Sequence, residues 1–456
     1  MSSDSPVPAI GATPDQGLLR DLFGTAEMRR VFSEEALLRR YVEAEVALAE
    51  AQGALGIIPA DAAAEIAAKA SVTLLDVEAL RRQTQIVGYP ILPLVQQLTA
   101  GIGKAGEYLH WGATTQDIMD TATVLQIRAG LELVERDLLA IARSLADLAR
   151  RFRDTPMPGR THLQQALPVT FGYKAAVWLA MIERHIARLG ELRPRVLVAE
   201  LAGAAGTLAS LGSAGLAVHD AFAAKLGLAP APIAWHVARD GLAEAIQFLG
   251  LVTGSLGKIG FDVMLLMSTE VGEVNEPFLM GRGASSTMPQ KRNPISSEIL
   301  VAVAKAVRQH CGLMLDAQIQ DLERATGPWH VEWLAIPDAF ILSAGALAQA
   351  RFMLEGLTVD AARMRHNLDL TGGLIVAEAV MMGLAPSIGR QHAHEVVYAA
   401  CREALESGRN LADVLIGKAD VAAHLSEAKI RSLTDPANYL GAAGAMVDRV
   451  LAMRER

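Results

Sequence analysis

"GLAEAIQFLGLVTGSLGKIGFDVMLLMSTE", residues 241–270, decides the fold. Leu242, Leu249, Leu256 and Val263 recur every seven residues, and Ala245, Val252, Ile259 and Leu266 do the same. Two interleaved apolar rows at that spacing make the seam of a long helix packed on other helices, not the alternating face of a strand. One such helix would suit a coiled coil. Several in one chain imply a helical bundle.

The rest of the chain supplies the others. One helical pattern runs from 115 to 151 and includes "VLQIRAGLELVERDLLAIARSLADLARRF". The segment 153–170, with three prolines and a glycine, breaks it before a second long helix that runs to about 198. Residues 33–56 also carry helical spacing, with Ser33 placed to cap the start and Gly53 or Gly56 to stop it. Shorter helical patterns fill 60–105. From about 358 the helices shorten and turns such as "TGG" and "LAPSIGR" multiply. The expected fold is all-α in three parts: an N-terminal helical domain over 1–112, a central long-helix bundle over 113–357 and a C-terminal helical domain over 358–456. The apolar faces suggest that the bundle oligomerises.

Composition narrows the partners. The chain has 456 residues, 51% of them hydrophobic and 5% aromatic. A net charge of −8 and a pI of about 5.8 argue against nucleic acid or an anionic membrane as partner. Cys311 and Cys401 read as reduced thiols of a cytoplasmic protein. The N-terminal stretch "MSSDSPVPAIGATPDQG" lacks the basic and apolar regions of a secretory signal and reads as a loose arm. No charge-free stretch of about 18 residues is apolar throughout, so no membrane-spanning helix is expected.

Two motifs fall away. "GIGKAG", 101–106, has the spacing of a dinucleotide loop but follows the helical "PLVQQLTA", not a strand, so it reads as a turn between helices. In "RQHAHE", 390–395, the histidines stand two apart and would leave a helix on different faces, so no metal site is expected there.

Three other segments concentrate chemistry. In "LHWGATTQDIMDT", 109–121, Gly112 marks a break and Thr114, Thr115 and Gln116 stand where a long helix starts, either as a simple cap or as donors for an anion. In "GRTHLQQALPVT", 159–170, His162 is a capping residue or an acid–base group that titrates near neutrality. "GASSTMPQKRNP", 283–294, is too rich in glycine and proline for regular helix. It gathers hydroxyls, an ammonium, a guanidinium and an amide with no carboxylate, as a loop would that holds an anion or meets charge growing during a reaction.

Together the segments His110 to Gln116, Thr161 to Gln164 and Gly283 to Asn293 resemble the three separated blocks of the fumarase/aspartase superfamily, in the same order and at similarly wide spacing. Within it, "HWGATTQDIMDT", "GSLGKIGFDVMLLMSTEVGEV", "ERATGPWHVEW" and "DPANYLG" look most like the 3-carboxy-cis,cis-muconate cycloisomerases, enzymes of aromatic-compound degradation. Adenylosuccinate lyases are the next relatives, but they place a histidine in the segment matching "TQIVGYP", 84–90, where this chain has none. Bacterial cycloisomerases can carry Trp where this chain has His162, whereas C–N and C–O lyases carry His. Lyases or epimerases of amino-dicarboxylates such as iminodisuccinate therefore stay open.

The resemblance implies a cofactor-independent reaction in which a proton moves at the carbon alpha to a carboxylate. Ser285 is then the acid or base on carbon, His162 serves the leaving-group side, and Lys291 and Asn293 stabilise the doubly charged aci-carboxylate. His110, Thr114, Thr115, Gln116, Thr161, Gln164, Ser286 and Met288 would bind a small polycarboxylate, and Arg324 would clamp a further carboxylate. No metal is implied. The family assembles as a homotetramer around a common helical core, each site drawing its three blocks from three subunits. A structural homologue that has lost the chemistry is the remote alternative; the intact Ser285, Lys291, Asn293 and His162 speak against it.

Overall fold

The structure is a computed structural model that describes residues 17–454. Most of the N-terminal stretch read as a loose arm lies outside the described residues. The described chain is predominantly α-helical, with two short antiparallel strand pairs. Its principal helices are α1 (Glu34–Ala54), α2 (Thr115–Arg151), α3 (Phe171–Val196), α4 (Asp240–Met267), α5 (Ile295–Ala317) and α6 (Pro328–Glu355).

These helices start and stop for local reasons. Ser33 caps α1, its Oγ accepting from the Ala36 N–H at 3.2 Å, a contact worth about 1 kcal/mol. The helix ends at Ala54, between the two glycines expected to stop it. In α4 all eight seam residues are buried, at 5% exposure or less. Truncating a leucine so placed to alanine removes about 2–5 kcal/mol of stability. By length and composition alone α4 and α6 are apolar enough to cross a membrane. Charge nevertheless interrupts α4, where Lys258 and Asp262 form an i,i+4 ion pair. Its apolarity is that of a bundle helix, with the seam buried and Leu251, Phe261 and Leu265 outward.

The chain divides into two compact units, and the division falls within each of the helices α2 to α6. The first unit comprises 1–138, 185–257 and 299–348. It contains α1, the start of α2, most of α4 and α5, and the loops 197–214 and 228–239. The second comprises 139–184, 258–298 and 349–456. Its C-terminal part has a small core of its own, in which Val380, Leu384, Val397, Leu411, Leu415 and Ile430 pack together.

The segment 153–170 does break the helical pattern, and it does so as a hairpin. Strand β1 (Pro156–Thr161) pairs antiparallel with β2 (Gln164–Thr170), Thr161 opposite Gln164. The two residues between them, His162 and Leu163, have φ of 52° and 63°. That is the backbone of a two-residue primed turn, normally built from Asn or Gly.

Candidate active site

Within the first unit, the loop before α2 is shaped by two left-handed residues, His110 (φ 57°) and Gly112 (φ 75°). At Gly112 a side chain is also excluded by space, since a Cβ would lie 2.8 Å from the Leu211 side chain. His110 Nδ1 lies 2.7 Å from Glu45 Oε1 on α1. Two helical turns along the same helix, Gln52 Nε2 donates to the Trp111 carbonyl at 2.6 Å. Burial pushes the His110 pKa down, but the charge and hydrogen bond of Glu45, with Asp117 adding to them, outweigh it and the value is raised.

Thr114 precedes α2 and Thr115 opens it. The Thr114 N–H is already taken by Asp117 Oδ2 at 2.9 Å. The anion-binding capacity at this helix start therefore lies in side chains more than in backbone amides. Arg324 reaches in from the loop before α6: Nη1 donates to Thr114 Oγ1 at 2.9 Å and Nη2 to the Ala204 carbonyl at 3.0 Å. These bonds use two of its five N–H groups, and its Nε has no partner among the described residues, so donors remain for a substrate carboxylate. Gln116 is buried, with Nε2 donating to Asp120 Oδ2 and to the His236 carbonyl, while its Oε1 has no partner among the described residues.

Beneath this segment lies a charged network that sequence reasoning missed. Asp117 takes four donors: the N–H groups of Thr114, Ala202 and Gly203, and His236 Nε2 at 2.7 Å. One turn on, Asp120 receives both terminal nitrogens of the buried Arg239 at 2.6 and 2.9 Å, and Arg239 also holds Glu332. Trp329 Nε1 donates to Asp120 as well. Asp117, Glu200 and His236 bring ligand atoms within 4.8 Å of one another, close enough for a cation. Their chemistry fits a hydrogen-bonded knot better. Both Asp117 oxygens are occupied, and burial together with Asp120 and Asp117 raises the Glu200 pKa to about 9, so Glu200 carries a proton at neutral pH.

Within the second unit, two further groups are built. Thr161, His162 and Gln164 stand exposed at the tip of the β1–β2 hairpin. The hairpin is anchored by Arg160, which forks onto the buried Glu273 at 2.9 and 2.6 Å. Ser285, Ser286, Met288, Lys291 and Asn293 share one loop. Its ends are joined by the Asn293 N–H donating to the Gly283 carbonyl at 2.9 Å. Arg292 donates to the Glu276 carbonyl, and Glu276 caps the start of α5 through the N–H groups of Ser296 and Ser297. Ser285 Oγ accepts from the N–H groups of Met288 at 3.0 Å and Thr287 at 3.3 Å. Lys291 is exposed, and its ammonium forms no ion pair among the described residues. Among those residues, no hydrogen bond joins His162 to the Ser285 loop.

Such a loop can stabilise an oxyanion at Ser285, and it carries an exposed ammonium on Lys291. Comparison with known proteins shows the family. Residues 24–308 match the family model described as Lyase, and residues 373–450 match the one described as Adenylosuccinate lyase C-terminus. The chain belongs to the fumarase/aspartase superfamily. Trans-aconitate decarboxylase 1 of Mycosarcoma maydis is 50% identical to it, over 96% of this chain and 89% of that protein. The 3-carboxy-cis,cis-muconate cycloisomerase of Pseudomonas aeruginosa is 49% identical over 96% of each. Among solved structures, a fumarate lyase from Mesorhizobium sp. BNC1 superposes with a TM-score of 0.90 at 57% identity, covering 94% of this chain and 98% of that one. The all-α expectation and the superfamily resemblance are thereby borne out.

Proposed function

We propose that this superfamily member is a cofactor-independent enzyme of the 3-carboxy-cis,cis-muconate cycloisomerase type, acting on a small polycarboxylate by proton transfer at the carbon alpha to a carboxylate. The observation that carries the reading is Ser285 Oγ accepting two backbone N–H groups inside a pinned loop that also bears Lys291. A free serine hydroxyl is a poor base on carbon. Hydrogen bonds to its oxygen, with an ammonium on the same loop, favour the alkoxide and make proton transfer at carbon accessible. In the lactonising direction, a substrate carboxylate adds to the diene to give an aci-carboxylate, and the Ser285 hydroxyl then delivers its proton to carbon, leaving the alkoxide that those hydrogen bonds favour. Lys291 and Asn293 stabilise the aci-carboxylate between the two steps. His110, Thr114, Thr115, Gln116 and Arg324 hold the other carboxylates, and Thr161, His162, Gln164, Ser286 and Met288 line the remainder.

A homotetramer in the cytoplasm, with sites shared between subunits, completes the proposal. It is supported by the exposure of large apolar side chains beside the catalytic segments, Leu163 at 75% and Met280 at 89%, and on the outer face of α4.

A second reading is favoured by His162 itself. A histidine at the hairpin tip suits protonation of a departing amine, as in a lyase or epimerase of an amino-dicarboxylate. The test is a substrate panel: 3-carboxy-cis,cis-muconate, trans-aconitate, iminodisuccinate, adenylosuccinate, argininosuccinate, aspartate and fumarate. Saturable loss of the diene absorbance with the first is expected. Turnover confined to an amino-dicarboxylate would select the second reading.

A further inference from the structure

We propose that Glu45 and His110 form a buried ion pair whose imidazolium presents its Nε2–H as a fixed donor for a substrate carboxylate, with Glu45 as the positioning residue. The inference rests on the reading of the 110–116 segment as carboxylate-binding.

The sequence places a carboxylate where a helix should be apolar. Glu45 lies mid-way along α1 on the face it shares with Tyr41, Leu48 and Gln52, and it is fully buried. Among the described residues, one of its oxygens, Oε2, has no hydrogen-bond partner, and the other meets His110 Nδ1 at 2.7 Å. A lone buried carboxylate is strongly disfavoured unless a cation answers it. Among the described residues, the His110 imidazole is the group that pairs with it. Of the charged groups around His110, Glu45 on α1 and Asp117 in the first turn of α2 both favour the cation, and together they outweigh the burial that opposes it.

The pairing also fixes direction. With Nδ1 committed to Glu45, the free donor is Nε2, which makes no hydrogen bond among the described residues. The bond to Glu45 holds the ring, while the left-handed backbone of His110 and the next carbonyl, held by Gln52 from the same helix face, place the main chain beneath it. One helix therefore holds both the side chain of His110 and the main chain after it. A histidine held this way is biased toward its cation by the carboxylate on Nδ1.

The consequence for pH follows from the raised His110 pKa. In the wild type the imidazolium persists until pH rises through that raised value, and carboxylate affinity is lost only above it. In Glu45→Gln the isosteric amide removes the charge, burial then acts unopposed by Glu45, and affinity is already low at neutral pH, recovering only as pH falls. The two proteins should differ most between the two pKa values and converge outside them.

The experiment is a titration of His110 in ¹³Cε1-histidine-labelled protein, assigned with His110→Asn. It is paired with binding of tricarballylate, a saturated tricarboxylate, and with steady-state kinetics on whichever panel substrate turns over. The expected result is a His110 pKa above the ordinary histidine value in the wild type and below it in Glu45→Gln. KM and the tricarballylate Kd should rise roughly tenfold at pH 7.5, the size of one charge-assisted hydrogen bond, with kcat within about threefold and partial recovery in Glu45→Asp. An ordinary or depressed His110 pKa in the wild type overturns the ion pair, whether or not the variant folds. A shifted pKa with unchanged KM and Kd overturns the donor role and leaves the proposed function standing. Failure of the wild type to bind or turn over any polycarboxylate overturns the proposed function and the donor role together, while the titration still decides the ion pair.

Discussion

Asn293 donates its backbone N–H to the Gly283 carbonyl at 2.9 Å, so the loop that carries Ser285 and Lys291 is closed at its base. Gly283 sits at φ 69°, and a Cβ there would lie 2.5 Å from the Asn293 carbonyl oxygen. The closure therefore depends on glycine. Gly283→Ala is expected to lower kcat by at least about tenfold by displacing Lys291 and Asn293 from their geometry. The helical circular dichroism should stay unchanged, because no helix contains this loop. Wild-type kcat in the variant would show that the closure is dispensable.

Ser285→Ala tests the hydroxyl itself. Removing an acid–base group lowers turnover by about 10²–10⁴-fold or more, while the melting temperature should hardly move for a loop side chain. Activity within tenfold of wild type would remove Ser285 from the mechanism.

The buried Arg239 predicts the opposite pattern. Arg239→Met leaves Asp120 and Glu332 facing each other without their cation, and breaking a buried pair in this way destabilises by about 3–5 kcal/mol. A clear drop in thermal midpoint is expected, together with weaker substrate binding, since Asp120 also holds Gln116. A midpoint equal to wild type would show that the network carries no net stability.

Glu200 sets an alkaline limit. Burial, with Asp120 and Asp117, raises its folded pKa to about 9, above the value of a free carboxyl. The folded state thus holds a proton that the unfolded chain releases, and stability falls as pH rises from the ordinary glutamate range through about 9. Glu200→Gln, permanently neutral, should flatten the midpoint between pH 5 and 9 and exceed the wild type at the alkaline end. Parallel profiles for the two proteins would contradict this protonation state.

Much of the fold was legible because it is periodic. The repeat through Leu242, Leu249 and Leu256 needs only local spacing to be read, and all three side chains are buried as it requires. The limits of α2 could be read for the same reason. The hairpin that bears His162 was not legible as a hairpin: its turn uses His and Leu where primed turns normally advertise Asn or Gly, and its prolines read as simple breaks. The supporting charges were hidden for another reason. Glu45 is 65 residues from His110, and Asp117 is 119 residues from His236. Only the fold brings such pairs together. A carboxylate on the apolar face of α1 was the one sequence signal that pointed to the first of them.

Oligomeric state has its own test. Sedimentation at micromolar concentration should give a homotetramer, in keeping with the exposed apolar face of α4. A stable, active monomer would contradict shared sites.

The most direct test of the central claim is kcat/KM for 3-carboxy-cis,cis-muconate in the wild type and in His162→Trp. In ring closure the nucleophile is the substrate's own carboxylate, already ionised at neutral pH, so no proton need be removed from it and His162 orients more than it catalyses. The account predicts robust, saturable lactonisation by the wild type and substantial retention in the variant. No muconate turnover by either protein, with cleavage or epimerisation of an amino-dicarboxylate by the wild type that His162→Trp abolishes, would contradict it.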